Sequence, residues 1–558
     1  MDTNDLIYIP LGGVGHIGMN ISLYHYMGYW LMVDCGAGFA GEDMPGIDMI
    51  IPDINFVCKN CENFLGIVLT HAHEDHCGAI QYVWRKLECP VYASPFTAAV
   101  LRARFEEFNI PESTINEVDL NDKFQLGPFD LELISLTHSI PEMSAISITV
   151  DQDKGKDKKT IIHSGDWKFD HDPVVGEVSN EERLKQIGED GVMAMICDST
   201  NVFSEGSSGS EGDLHDSIYD LLSMQKGLVA ITLFASNVAR IATIAKVAKS
   251  LGREIAVMGR SLIRIITAAQ ESGYLEGINF LDAEDATNIP RDKLLLLCTG
   301  CQGDLLSATN KLANRSHKIF SLKEGDTVIF SSKIIPGNEK RISSMLNKFI
   351  KMGVNIITEK DHKVHVSGHP YRDELKKMYK LVKPKIAIPV HGEHMHIYEH
   401  ANLATECGVL QSLKISDGDV IQFKDNIAKK IDKIDTSFLG IDGSILQSPN
   451  NIAISERRNM SEHGHLICIL IINAHYELMK LPTILAPGLL ENKKLLRKFA
   501  QEVNSAILSA ASTDYRAMTN LARSTIRSML KRTKKRPYIT IQIEKVNDEY
   551  PLIDRKKY

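Results

Sequence analysis

The sequence predicts an α/β protein built in layers, on two observations. Short apolar runs closed by glycine, proline or aspartate recur along the chain, and helix-like stretches alternate with them. The 558 residues are a prior for three to four domains at ~150 residues each. Hydrophobic residues make up 44% and charged residues 24%, an ordinary globular balance that excludes disorder, collagen and fibre. No apolar run reaches the ~18 residues that a bilayer needs, and the polar, acidic start from Met1 to Asp5 lacks the order of a secretory signal. The ten cysteines lie mostly in apolar runs, as Cys197 and Cys468 do, and read as reduced core thiols of a cytoplasmic protein. Cys58/Cys61 and Cys298/Cys301 read as chance spacings, not as a shared zinc site. A net charge of −8 argues against indiscriminate affinity for nucleic acid. Twelve Lys/Arg against three Asp/Glu between Glu491 and Thr540 still leave a local basic region.

The elements follow in order. Leu6 to Pro10 reads as a strand leading into Gly12-Gly13-Val14-Gly15, and Trp30 to Val33 as a strand leading into Asp34. Leu65 to Thr70 is an apolar strand, with a helix-like stretch from Ala79 to Leu87. Residues 202–213 form a Gly/Ser-rich break. Beyond it Gly227 to Leu233, Leu294 to Cys298 and Thr327 to Ser331 read as strands, with helices at Val238–Lys249 and Ser261–Ser272. Ala387 to Val390 is a further strand. The polar stretch 425–460 reads as a connector, and the last ~100 residues as a strand at His465–Ile472, two helices and a closing strand at Tyr538–Ile543.

The segment Thr70-His71-Ala72-His73-Glu74-Asp75-His76-Cys77-Gly78 directly follows a strand. His71 and His73, two apart on extended chain, point the same way, while Asp75 and His76 sit where the next helix starts. Four nitrogen and oxygen donors within six residues suit Zn²⁺ or Mn²⁺, with His71 and His73 holding one ion and Asp75 and His76 a second.

This His-x-His-x-Asp-His pattern resembles that of the metallo-β-lactamase superfamily. The resemblance implies further donors at strand ends: His138, Asp166 as a carboxylate bridging two metals, and His391 as the last ligand. Asp34 resembles the superfamily's first motif and would orient a ligand histidine. His394, His396 and His400 are expected to be solvated helix residues. Cys197-Asp198-Ser199-Thr200-Asn201, His365-Val366-Ser367-Gly368-His369 and His391 resemble the three motifs of the β-CASP branch. Leu11 to Gly18, Phe234-Ala235-Ser236-Asn237, Cys298 to Gly303 and Ile335 to Glu339 resemble signatures of the bacterial ribonuclease J family, over almost the whole chain. His16 stands where that family more often has Glu, Cys301 replaces Ser, Ala239 replaces His, and Pro370 and Tyr371 follow His369 in place of small residues.

The resemblance implies an αββα sandwich with an inserted α/β domain and a small α+β domain. The expected boundaries are 1–207 and 356–425 for the sandwich, 208–355 for the insert, 426–458 for a linker and 459–558 for the last domain. It implies 5′→3′ exonuclease and endonuclease activity on single-stranded RNA, leaving 5′-phosphate and 3′-hydroxyl ends, in mRNA decay and rRNA maturation. Two divalent ions, Zn²⁺ or else Mn²⁺, would be held by His71, His73, Asp75, His76, His138, Asp166 and His391. His369 would be the general acid, oriented by Asp198. Ser236 and Asn237 would help bind a 5′ phosphate, and His365 to Gly368 a backbone phosphate, although a Ser-Asn pair before a helix is also the usual N-cap. Partners would be single-stranded RNA, other copies in a homodimer or homotetramer, and members of an RNA-degradation complex. Two rivals stand beside this reading. A DNA-directed relative is disfavoured by His391, and a catalytically silent RNA-binding subunit would be expected to lack a ligand, yet none is missing.

Overall fold

A computed structural model describes residues 5–41, 43–151, 158–510, 514–531 and 535–546. The chain divides into two units, Met1–Gly38 with Ile51–Ser437, and Phe39–Ile50 with Phe438–Tyr558.

The first unit contains a two-sheet sandwich. One sheet runs, in spatial order, Ile427–Lys433, Asp419–Lys424, Leu6–Gly12, Ile21–Tyr26, Tyr29–Val33, Asn63–Val68, Val91–Ala93 and Ile115–Glu117. The other runs Lys123–Leu126, Phe129–Ser135, Ser144–Asp151, Lys158–His163, Ala194–Asp198, Ile386–Val390 and Gln411–Ser412. In each, antiparallel pairs on one side give way to parallel pairs on the other. A parallel pair requires a crossover, and helices Ile80–Leu87, Pro95–Phe108, Glu181–Asp190 and His394–Glu406 supply it. Their ends are written locally. Pro95 opens its helix where no amide hydrogen is needed, and Asn109, left-handed at φ 52°, closes it.

Tyr8, Leu31, Val33 and Val68 of the first sheet share a core with Leu133, Ile146, Ile161, Ile196 and Ile388 of the second. The outer face of the second sheet packs through Ile134, Met195 and Ala387 on Leu184, Ile187, Leu375 and Met378 of two helices. On the outer face of the first, Trp30 meets Phe56 of helix Asn55–Asn60 edge-on at 5.9 Å. This is the αββα layering that the resemblance implied.

Between Asp198 and Val364 the chain builds a third, wholly parallel sheet, in the order Glu254–Met258, Leu294–Cys298, Val229–Thr232, Thr327–Phe330 and Asn355–Ile357. Its strands are continuous apolar runs because both faces are covered. Ile231, Leu295 and Leu297 lie under helices Leu214–Ser223, Val238–Ser250 and Arg260–Glu271. Ala230, Leu296 and Val328 lie under Ala308–Ala313 and Glu339–Lys351.

The second unit holds a three-stranded sheet, Thr483–Leu485, His465–Ile472 and Tyr538–Lys545, under helices Lys493–Ser509 and Tyr515–Leu530. Residues 426–458, expected as a linker, are regular structure: an edge strand of the sandwich, a hairpin at Phe438–Asp442 and Ile445–Gln447, and the start of helix Ile452–His463. Residues 39–50, expected within the sandwich domain, group with the C-terminal unit because Met44 and Ile47 pack on Ile454. All ten cysteines are unpaired thiols. No helix among the described residues is long and apolar enough to cross a membrane.

Leu296 is fully buried in the parallel sheet, whereas Leu305 is 75% exposed. Leu296→Ala is therefore expected to cost about 2–5 kcal/mol in urea unfolding, and Leu305→Ala less than about 0.5 kcal/mol. Equal losses would contradict the two-sided burial of this sheet.

Candidate metal centre

Four strand ends deliver the donors, and a fifth delivers Asp198 beside them. The loop after Asn63–Val68 carries His71 to His76, and Phe129–Ser135 ends before His138. Lys158–His163 ends before Asp166, Ala194–Asp198 ends on Asp198, and Ile386–Val390 ends before His391. Carboxyl ends of parallel strands are where open α/β sheets leave a crevice. Val14–Gly15 pairs with Gly392–Glu393, and the His391 amide donates to the Gly13 carbonyl at 2.7 Å, so the glycine-rich first loop props the last donor. Asp34 and His391 are left-handed at φ 61° and 52°, a strain of about 1–3 kcal/mol each that the surrounding contacts hold in place.

Among the described residues, three groups of possible donors share the Asp166 carboxylate, the third being Asp198, His369 and His391 with Asp166, and two of them consist of the expected ligands alone. His71, His73, His138 and Asp166 form the first; Asp75, His76, His391 and Asp166 form the second, the donor atoms within each lying within 4.8 Å of one another. His73 Nδ1 lies 3.0 Å from His71 Nε2 and 3.1 Å from His138 Nε2. Asp166 Oδ2 lies 3.1 Å from His76 Nε2 and 3.5 Å from His391 Nε2, and Asp75 Oδ2 is 3.7 Å from both nitrogens.

The opposite ring nitrogens are held from behind. His76 Nδ1 meets Asp34 Oδ2 at 2.7 Å, His138 Nδ1 the Gly368 carbonyl at 2.5 Å, and His391 Nδ1 the Asn20 Oδ1 at 2.9 Å. These oxygens accept, so the proton sits on Nδ1 and the Nε2 lone pair faces the site. Thr70 Oγ1 stands 3.0 Å from His71 Nδ1 and donates to Asp34.

The electrostatics fit cations. Burial lowers His71 and His138 well below the usual imidazole range and His73 to about 4, so all three are neutral ligand nitrogens at neutral pH. Three such nitrogens at mutual contact cannot all be satisfied by protons. Burial opposes charge on Asp166 too, yet His391, His76 and His369 hold its carboxyl well below the usual range. Burial likewise opposes a proton on His76, but Asp166, Asp34 and Asp75 outweigh it and raise its pKa. Asp166 Oδ1 is buried with no hydrogen-bond donor. An ionised oxygen so placed calls for a cation, and the mixed nitrogen and oxygen set suits a divalent one.

Beside the donors, His369 Nδ1 meets Asp198 Oδ2 at 2.8 Å, and the same nitrogen is 4.0 Å from Asp166. Asp198 Oδ1 accepts from the Thr200 amide and hydroxyl. Burial would lower His369, but Asp198 outweighs it and raises the pKa to about 9. Asn201 Nδ2 donates to Ser367 Oγ at 2.8 Å and to the His369 carbonyl at 3.3 Å.

Other expected residues fall differently. Asn237 Oδ1 caps helix Val238–Ser250 by accepting from the Arg240 amide, which leaves only its side-chain NH₂ to meet a ligand. Val366 is buried in the core of the inserted domain and can contribute only backbone. Ser236 is half-buried, and His365 Nδ1 is buried without a partner. His400 is fully buried, not solvated, because Ser199 Oγ and Tyr379 OH hold its two nitrogens. His394 is exposed and His396 half-buried. Asn20 and the Gly368 carbonyl went unseen in the sequence: 371 residues separate Asn20 from His391, and a peptide oxygen carries no residue signature.

Comparison with known proteins agrees with this geometry. The family profile "Beta-lactamase superfamily domain" matches residues 29–184, and "Ribonuclease J, beta-CASP domain" matches 226–349. "Zn-dependent metallo-hydrolase RNA specificity domain" matches 353–411, and "Ribonuclease J C-terminal domain" matches 452–546. The chain is 38% identical to a ribonuclease J of Sinorhizobium meliloti over 97% of this chain and 98% of the relative. It is 32% identical to ribonuclease J 1 of Streptococcus pyogenes, over 90% of each chain. A crystal structure of a protein of unknown function from Enterococcus faecalis V583 shares the fold, with a TM-score of 0.52 at 15% identity over 75% of this chain and all of that one.

The two donor sets have separate supports, and this is testable. A Cβ on Gly368 would stand 2.7 Å from His138 Cε1, whereas Asn20 holds His391. Gly368→Ala is expected to weaken one cation equivalent by roughly 10–100-fold and Asn20→Ala the other, in a Co²⁺ titration read by absorption. Loss of both equivalents together in each variant would contradict two separable sets.

Proposed function

This chain belongs to the ribonuclease J family, and on that premise we propose that it degrades single-stranded RNA from the 5′ end and also cuts internally, leaving 5′-phosphate and 3′-hydroxyl ends. Family membership makes it a metal-dependent ribonuclease that binds RNA. The proposed setting is the cytoplasm, in mRNA decay and rRNA maturation, as a homodimer or homotetramer with members of a degradation complex as further partners. One observation carries the catalytic reading: the shared, orphaned Asp166 carboxylate lies beside the His369–Asp198 pair.

His71, His73 and His138 with Asp166 would hold one cation, and Asp75, His76 and His391 with Asp166 the other. Zn²⁺ is the proposed ion, and Mn²⁺ fits the same donors. When bound, such a pair supplies Lewis acidity to a phosphate oxygen and acidifies water. The residues of the chain do the rest. His369 has Nδ1 held by Asp198, which leaves Nε2 to serve a leaving oxygen. With Asp198 favouring its protonated form, it would give a proton to the departing 3′ oxygen. Asn201 keeps Ser367 and the His369 backbone in register, so the hydroxyl and amides of 367–369 can receive a phosphate next to the cut. Ser236, the side-chain NH₂ of Asn237 and His365 would receive the terminal 5′ phosphate, with Arg240 and Lys333 adding positive charge around His365.

The test is turnover of labelled single-stranded RNA and DNA, before and after chelation. RNA cleavage that stops on chelation and returns with Zn²⁺ or Mn²⁺ supports the reading; preference for DNA, or metal-free cleavage, would overturn it. Asp75→Ala should abolish turnover in a folded protein. His369→Ala should lower it by roughly 10²–10⁴-fold with metal content intact, and a fall in metal content would move His369 among the ligands. A 5′ monophosphate should be preferred to a triphosphate or hydroxyl, because a pocket shaped for one phosphate excludes the first and leaves donors unpaired with the second.

A further inference from the structure

The Gly/Ser-rich loop at 202–213 has no part in the chemistry above, yet it is wired into it. Ser210 Oγ donates to Asp170 Oδ1 at 2.5 Å, and the Glu211 amide to Asp170 Oδ2 at 2.9 Å. Asp170 also pairs with Lys168 at 2.7 Å, and the Lys168 backbone is bonded in both directions to Thr137, the residue before His138. At the same point of the loop the Glu211 carboxylate takes both arms of Arg240, Nε at 2.5 Å and Nη2 at 3.0 Å.

Arg240 is fully buried. Its Nη1 donates to Ser331 Oγ at 2.6 Å and to the Val364 carbonyl at 2.7 Å, and Ser331 Oγ donates to the same carbonyl. Its backbone amide is the group that Asn237 caps. One guanidinium thus fastens the start of the helix behind Ser236 and Asn237 to the root of His365–His369. Through Glu211 and Asp170 the same network reaches the segment beside Asp166 and His138. The links through the Arg240 guanidinium and the Glu211 and Asp170 carboxylates are buried, charge-assisted hydrogen bonds, the kind that fixes geometry most tightly.

We propose that the Arg240–Glu211 pair is a positioning element that sets the distance from the 5′-end pocket to the scission centre, and so the number of nucleotides released per cut. The proposal rests on the reading of Ser236, Asn237 and His365 as the end pocket. An end-dependent cut needs that distance; an internal cut needs only the metal centre and residues 367–369.

The experiment uses the full chain loaded with Zn²⁺ or Mn²⁺ and three RNAs: 5′-monophosphorylated, 5′-hydroxyl and circular. Arg240→Lys keeps the charge but loses the fork. The double variant Arg240→Met/Glu211→Leu removes both charges together, which avoids stranding one in the core. Ser331→Ala deletes a single hydroxyl. The ratio of monophosphate to hydroxyl cleavage should fall at least tenfold in the first two and severalfold in the third. The first product should broaden in length, while metal content and circular-RNA cleavage stay within threefold of the parent. A retained ratio and product length in folded variants would overturn the proposal, as would circular-RNA cleavage that falls in step with end-dependent cleavage. Should the Arg240 variants not fold, Ser331→Ala decides by the same criteria. A parent protein with no 5′ preference overturns the pocket reading and this proposal with it; a parent with the preference and variants that keep it overturn this proposal alone.

Discussion

The structure depends on one buried charge. Asp166 is 2% exposed, is shared by both donor sets, and leaves one oxygen without a donor. An ionised carboxylate out of water is tolerated only with positive charge beside it. The His76 and His391 Nε2 atoms stand 3.1 and 3.5 Å from its Oδ2. The geometry of the rest, with neutral nitrogens of His71, His73 and His138 turned inward, is that of ligands and not of proton donors. The two sheets can be seen as the means of bringing four other strand ends to this carboxylate.

That requirement reaches outward in layers. Asp34, Asn20, Thr70 and the Gly368 carbonyl fix ring orientation, and each comes from a different stretch of chain. Gly368 has a double constraint: its carbonyl holds His138, and a side chain there would strike the same ring. The return segment that would grip RNA is therefore also a support of the metal centre. On the proposed function, substrate contact and metal chemistry would share backbone here, so motion in one would be felt by the other.

The legible part of this site was the local part. His71 to His76 span six residues, so their donor pattern is visible without a fold. His138, Asp166, His369 and His391 were reached through resemblance, and the structure brings them to the same place. Asn20 was invisible because an asparagine after a glycine-rich loop has no signature of its own. Asn237 read two ways, and its oxygen is spent on the helix end. The misread stretch 426–458 has a physical cause. Strand Ile427–Lys433 is an edge strand with a single buried residue, Ala428, and its lysines face solvent, as edge protection requires. Such a strand has the composition of a linker. His400 was misread because its partners, Ser199 and Tyr379, come from other elements.

The central claim is that two cations share Asp166. Anomalous X-ray scattering from crystals grown with Mn²⁺ or Zn²⁺ tests it most directly. The account predicts two peaks, one in contact with His71, His73 and His138, the other with Asp75, His76 and His391, and both touching Asp166. A single peak, or peaks that leave Asp166 without a metal contact, would contradict it.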